Sequence, residues 1–193
     1  YLKQLRKKCD ETGTQLIFDE IQCGMGRTGK MFAFEHSGVV PDILTLGKAL
    51  GGGMPIGAFV SSYEKMKLLS HDPMLGHITT FGGHPVVCAA GAACLDVMHS
   101  EIDFIEVEKK GRYIEEKLSA HPKVIEMRRV GMMFAIDMES DELVAEVVKN
   151  CLKNGLISFW FLSHPSSFRL SPPLNISMEE VEESVKIILR CLG

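Results

Sequence analysis

Gln15-Leu-Ile-Phe-Asp-Glu-Ile-Gln22 and Ile43-Leu-Thr-Leu-Gly-Lys48 are two short apolar runs, each breaking into charge at its carboxyl end. A run of that length, bounded by loop residues, reads as a strand buried in a sheet. Asp19 and Lys48 then stand where the two strands emerge. Residues 56–60 supply a third strand, after a turn forced by Gly51-Gly-Gly53 and Pro55. Strands carrying site-like residues at their carboxyl ends predict an open, mostly parallel α/β sheet, which binds ligands beyond those ends.

Working outward, Leu2, Leu5 and Cys9 recur at helical spacing and predict a helix over 1–11, stopped by Gly13. Residues 23–41 read as a loop, punctuated by Gly24, Gly26, Gly29, Gly38 and Pro41. A short helix over 63–69, a loop over 71–85 and a helix over 86–99 follow. The residues 89–93 are all Ala or Gly and allow close helix packing. Near residue 100 the pattern changes. A charged amphipathic helix (101–119) precedes alternating strands (124–130 and 133–138), a helix (141–153), two more strands (156–162 and 167–171) and a terminal helix (178–192). This second half reads as a small α+β unit.

The composition excludes several classes. Of 193 residues, 46% are hydrophobic and 24% charged, which sets aside disorder and fibrous repeats. The net charge of −4 lacks the basic excess of a nucleic-acid footprint. No apolar run approaches the roughly 18 residues of a membrane span. Cys9, Cys23, Cys88, Cys94, Cys151 and Cys191 show no CxxC spacing, so neither a disulfide frame nor a metal site is expected. The opening residues interleave charged with apolar side chains, unlike a signal peptide. They resemble the middle of a helix, and the chain is expected to begin within a longer protein.

An acid and an amine at neighbouring strand ends suit one cofactor in particular. Pyridoxal phosphate uses a lysine for its aldehyde and an acid beside its pyridine nitrogen. A surface lysine and a helix-capping aspartate would satisfy the same spacing. The stretch Gly24-Met-Gly-Arg-Thr-Gly29 also matches the GxGxxG dinucleotide pattern, which leaves a dinucleotide-binding oxidoreductase as a weaker alternative. That pattern requires a helix opening at the glycines, and residues 30–41 carry no helical stripe.

Longer stretches decide between these. The segments 16–29 and Pro41-Asp-Ile-Leu-Thr-Leu-Gly-Lys-Ala-Leu-Gly-Gly-Gly-Met-Pro-Ile-Gly57 closely resemble the cofactor signature of class III (ω-type) pyridoxal-phosphate aminotransferases. His77-Ile-Thr-Thr-Phe-Gly-Gly-His-Pro85 is similar to that family's next motif, and Phe168-Arg-Leu-Ser-Pro-Pro-Leu174 to its carboxyl-terminal arginine segment. The resemblance implies a fold type I α/β architecture, with residues 1–100 in the cofactor-binding large domain and 101–193 forming the small domain. It implies that Lys48 carries the cofactor and shuttles the proton, that Asp19 pairs with the ring nitrogen, and that Gln22 bonds the ring oxygen. Thr80 would hold the phosphate, with Thr79 as its rival, and Arg169 a substrate carboxylate. Glu20 is expected to make a structural contact, and His36, His77 and His84 to be loop or packing residues. The family commonly has Asn where His84 stands.

The implied reaction moves an amino group from an acetylornithine-, ornithine- or 4-aminobutyrate-like donor to 2-oxoglutarate. The resemblance also implies a homodimer; the lack of a targeting segment favours the cytoplasm, and charge and hydropathy lead us to expect no nucleic-acid or membrane partner. In the family, however, a phosphate loop and a ring-stacking aromatic lie well before the position of Tyr1. The resemblance thus covers the carboxyl-terminal half of such an enzyme. A catalytically silent fragment or interaction module is therefore the second reading, and other pyridoxal-phosphate chemistry, such as aminomutase or racemase, a weaker one.

Overall fold

A computed structural model describes residues 1–75 and 77–193. Its elements are α1 (Leu2–Thr12), β1 (Ile17–Asp19), β2 (Ile43–Leu46), β3 (Ala58–Ser61), α2 (Tyr63–Leu68), α3 (Pro85–Ser100), α4 (Phe104–Ser119), β4 (Glu126–Val130), β5 (Met133–Asp137), α5 (Asp141–Lys153), β6 (Phe159–Phe161), β7 (His164–Leu170) and α6 (Met178–Leu192). Two short 3₁₀ turns, Ala33–His36 and Lys48–Gly51, interrupt the loops. The chain divides into two compact units: Tyr1–Gly26 with Lys30–Glu101, and Arg27–Gly29 with Ile102–Gly193. Among the described residues no single helix is long and apolar enough to cross a membrane.

The first unit is built on a three-stranded sheet in the order β1-β2-β3. β1 and β2 run parallel, with Asp19 opposite Thr45, whereas β3 returns antiparallel to β2. The parallel character expected of this sheet thus extends to one of its two pairings. β1 is also shorter and more open than its apolar run suggests, and Ile17 is exposed. Among the described residues β1 is an edge strand of this sheet, with no strand paired on its far side. α1 buries Cys9 against Leu16 and Val39, with Leu2, Leu5 and Phe18 packed around them. Gly13, in the left-handed conformation, ends the helix.

Asp42 ties this unit together. Its carboxylate accepts from Leu16 N and Arg6 Nη1, each at 2.7 Å, and from Lys65 Nζ. One side chain therefore joins α1, the start of β1 and α2 to the start of β2. The Leu16 amide, followed by Lys65 and Arg6, holds the carboxyl well below its ordinary range. A depressed folded-state pKa means that this stabilisation is complete above about pH 4, the unfolded carboxylate value, and is lost as pH falls toward the folded one. Asp42→Asn is accordingly expected to lower stability at neutral pH and to flatten the acid limb. Denaturant midpoints for the two proteins, compared between pH 2 and pH 7, check this; parallel curves would count against it.

The second unit packs three helices with an antiparallel sheet in the order β4-β5-β7-β6. Alternation along β5 sends Phe134 and Ile136 into the core, where they meet Phe168 and Leu170 of β7. Helical spacing does the same for Val107, Ile114 and Leu118 of α4, and for Val181, Val185, Ile188 and Leu192 of α6. Ser140 caps α5, and Ser177 with Glu180 forms a capping box on α6. Arg129 of β4 grips α4. It makes a two-pronged pair with Glu108, both bonds 2.9 Å, and a 2.7 Å bond to Glu115. The guanidinium holds the Glu108 carboxyl below its usual value.

Candidate active site

Parallel pairing brings the carboxyl ends of β1 and β2 side by side. Asp19 closes β1, and Gly47 and Lys48 follow directly on β2. The two exits touch: a Cβ placed on Gly47 would lie 3.3 Å from Ile21 Cγ2. Successive strand residues point to opposite faces, and this separates the two acids. Glu20 turns inward and is buried. Its Oε2 accepts from Ala33 N at 2.6 Å and its Oε1 from Phe34 N at 2.7 Å, where the 3₁₀ turn begins. Glu20 is thus the structural anchor of the glycine-rich loop, balanced by two backbone donors at a helical amino end.

Asp19 faces outward. Its Oδ1 accepts from Ile21 N at 3.0 Å, which orients the carboxylate and leaves Oδ2 for another donor. Glu20→Gln would turn one acceptor oxygen into a donor facing a backbone N–H. It is expected to cost about 2 kcal/mol and to accelerate amide exchange at Ala33 and Phe34. Unchanged exchange at both amides would argue against the anchor.

Lys48 opens the second 3₁₀ turn and is exposed. Its φ of 44° lies in the left-handed region, where a side chain is strained. The turn closes through Leu50 N to Gly47 O and Gly52 N to Ala49 O, both 3.0 Å. α3 packs against it. An amine and a carboxylate, both accessible, leave the same edge of the sheet. That donor set suits a group needing an electrophile-capturing amine and a proton-holding acid, which is the chemistry pyridoxal phosphate requires.

The remaining expected site residues are placed as follows. Gln22 is exposed, three residues past Asp19. Thr79 and Thr80 are exposed in the loop before α3, where Gly82 N donates to Thr79 O at 3.1 Å. His77 Nδ1 lies 2.9 Å from Leu69 O, a loop contact. His84 precedes Pro85 at the start of α3 and makes no side-chain cap bond. Arg169 stands in the second unit, on β7, with its guanidinium 5.3 Å from the centre of the Phe159 ring. Phe159 in turn stacks on Trp160 at 4.4 Å. No carboxylate among the described residues pairs with Arg169.

The GxGxxG stretch opens no helix, and the Ala33 and Phe34 amides of the following turn are occupied by Glu20. Arg27, inside that stretch, escaped the sequence reading. Its Nη1 donates to Pro172 O at 2.6 Å and Met132 O at 3.2 Å, and burial pushes its guanidinium pKa down. A lone arginine among glycines offered no periodic signal of such a role.

The family model for class-III aminotransferases matches residues 1–192. The chain belongs to that family. It is 42% identical over 193 residues to the acetylornithine aminotransferase of Caldanaerobacter subterraneus, with 97% of this chain and 47% of that protein aligned. It is 43% identical to the acetylornithine aminotransferase of Methanocaldococcus jannaschii, covering 97% of this chain and 46% of that one. The structure of Toxoplasma gondii ornithine aminotransferase, described as having partial occupancy of PLP at its active site, superposes with a TM-score of 0.89 at 34% identity. That match covers 100% of this chain and 46% of the other. Plasmodium falciparum ornithine δ-aminotransferase gives 0.87 at 33% identity, covering 100% and 50%. The chain therefore spans about half the length of the relatives it matches. Fold type I α/β architecture and a pyridoxal-phosphate-dependent family agree with the expectation from the sequence.

Proposed function

We propose that this chain supplies the lysine-bearing half of a pyridoxal-phosphate aminotransferase. The donor is an ω-amine of the acetylornithine, ornithine or 4-aminobutyrate type, and the acceptor is 2-oxoglutarate. The observation that carries the reading is the juxtaposition of Asp19 and Lys48 at adjacent parallel strand ends, in a chain matched along its length by class-III aminotransferases. The acetylornithine and ornithine aminotransferase names of its relatives support the choice of donor class.

When bound, the cofactor supplies an aldehyde that captures amines and a ring that accepts electrons. The chain's own side chains supply the rest. Lys48 Nζ would hold the cofactor through its aldehyde, and would act as the base that takes the proton from the substrate carbon next to nitrogen and passes it to the former aldehyde carbon within the same half of the exchange. The Asp19 carboxylate keeps a proton on the ring nitrogen, so that developing negative charge is met by a fixed cation. The Gln22 amide donates to the ring oxygen. The hydroxyl of Thr80, or of Thr79, donates to the phosphate. Arg169 binds a substrate carboxylate in two-pronged fashion. The setting proposed is a cytoplasmic homodimer. Borohydride reduction of the chain mixed with pyridoxal phosphate, followed by peptide mapping, tests the reading: label concentrated on Lys48 supports it.

A second reading is favoured by one observation. α3 is apolar along most of its length, yet only Gly91 and Met98 are buried, and Val86, Leu95 and Val97 are exposed. A helix apolar on all sides is ordinarily covered. Further polypeptide is then needed to complete the site, and the chain by itself is catalytically silent. An amine-donor panel with 2-oxoglutarate on the purified chain separates the readings. Turnover at an aminotransferase-like rate removes the second.

A further inference from the structure

Cys94 of α3 directs its thiol at the carbonyl oxygen of Ala49, with Sγ 3.1 Å from the acceptor. Ala49 follows Lys48, and its carbonyl also accepts from Gly52 N at 3.0 Å. Both acceptor positions of that oxygen are therefore used, one from inside the turn and one from the helix. The turn needs an outside hold. A left-handed residue with a Cβ is strained, and such strain persists only where the surroundings over-determine it. α3 provides those surroundings within the first unit. A Cβ placed on Gly91 would lie 3.5 Å from Leu50 O and 3.6 Å from Ile56 Cδ1, and one placed on Gly52 would lie 3.5 Å from Cys94 Cβ and 3.7 Å from Ala90 O. Cys94 is the member of this contact that adds a directed bond.

We propose that Cys94 is a positioning residue for Lys48. Through the Ala49 carbonyl, its thiol ties the strained lysine turn to α3 and so fixes the direction in which the ε-amine leaves the backbone. The chemical consequence rests on the reading of Lys48 as the cofactor lysine; the tie itself does not. Serine keeps a donor at the same place, alanine removes it, and valine removes it while keeping the volume.

The test compares Cys94→Ala, Cys94→Val and Cys94→Ser in the full 193-residue chain. NMR hydrogen exchange reads the Leu50 and Gly52 amides, with the β2 amides as an internal reference. A thiol–carbonyl bond is worth a fraction of a kcal/mol to about one. Exchange at those two amides is therefore expected to accelerate about two- to fivefold in the alanine and valine variants and to stay near the original rate in the serine variant. In parallel, each protein is reduced with borohydride in the presence of pyridoxal phosphate. The share of label on Lys48 is expected to fall in Cys94→Ala and Cys94→Val and to return in Cys94→Ser.

Unchanged exchange in all three variants overturns the proposal. So does a serine variant as impaired as the alanine one, which would make space rather than the bond decisive. Altered exchange with unaltered Lys48 labelling also overturns it, since the tie would then not reach the amine. If the unsubstituted chain takes no preferential label at Lys48, the cofactor reading fails instead, and the exchange measurement alone decides the tie.

Discussion

Lys48→Ala is expected to abolish the preferential covalent capture of pyridoxal phosphate by this chain. Only an unprotonated amine condenses with the aldehyde, and alanine offers none. The chain's other lysines serve as internal controls. Lys65 is engaged with Asp42, and Lys7, Lys8 and Lys109 are paired with glutamates on their own helices. Exposed lysines of that kind take up label weakly and without preference, so the loss is read as the disappearance of one labelled peptide against a constant background. Asp19→Asn provides the contrast. The amide keeps the shape of the carboxylate but cannot hold a proton on the ring nitrogen by charge. Capture is therefore expected to persist, while transamination, in a protein where this sequence supports turnover, falls by about 10²–10³-fold. Label spread evenly over the lysines, or capture surviving in Lys48→Ala, would dismantle the assignment. Near-normal turnover in Asp19→Asn would remove the role given to the acid alone.

Gly131→Ala is expected to destabilise the second unit by about 3 kcal/mol, a combination of left-handed strain and overpacking. Gly131 turns the chain from β4 into β5 at a φ of 59°. A Cβ there would collide with the carbonyl carbon of Thr28 and the amide nitrogen of Gly29, and would lie 2.8 Å from Arg27 O. These are backbone atoms on a segment pinned at both faces. Met132 N donates to Arg27 O at 3.0 Å, while the Arg27 guanidinium holds Met132 O and Pro172 O. No rotamer change relieves the overlap. Gly155→Ala isolates the strain, because its φ is 82° and no atom lies within 4 Å of the added methyl. That variant should lose only about 1–2 kcal/mol. Trp160, the single tryptophan, lies in the second unit and reports its unfolding in denaturant. Equal losses in the two variants would show that contact with Arg27–Gly29 contributes nothing.

Most elements of the second unit were legible because they carry a clean period, although β6 is shorter than the expected 156–162 and β7 begins at His164, ahead of the expected 167–171. Val181, Val185, Ile188 and Leu192 mark α6 from the sequence, and the alternation of residues 133–138 marks β5. Ile43–Leu46 was equally plain. β1 was readable as a strand but not in its exposure, because burial depends on a neighbour beyond its far edge and no residue within the run encodes that neighbour. The antiparallel return of β3 was likewise invisible, since a short apolar segment has the same composition in either direction. The 3₁₀ turn at Ala33–His36 was hidden inside a glycine-rich loop, because its amides are satisfied by the side chain of Glu20, thirteen and fourteen residues earlier in sequence.

For the candidate site, motif order alone nominated an amine, an acid and an amide, and pointed to the family that the comparisons show. Those properties are local, written in residue identity and in the rhythm of short runs. Tertiary structure decided where these candidates are placed. It sent Asp19 outward and Glu20 inward from adjacent positions, set Lys48 in a left-handed turn against α3, and drew Arg27–Gly29 onto the β4–β5 turn. Each of these outcomes depends on which distant backbone donor or carbonyl comes within hydrogen-bonding reach, and that is a property of packing, which no single stretch of the chain contains.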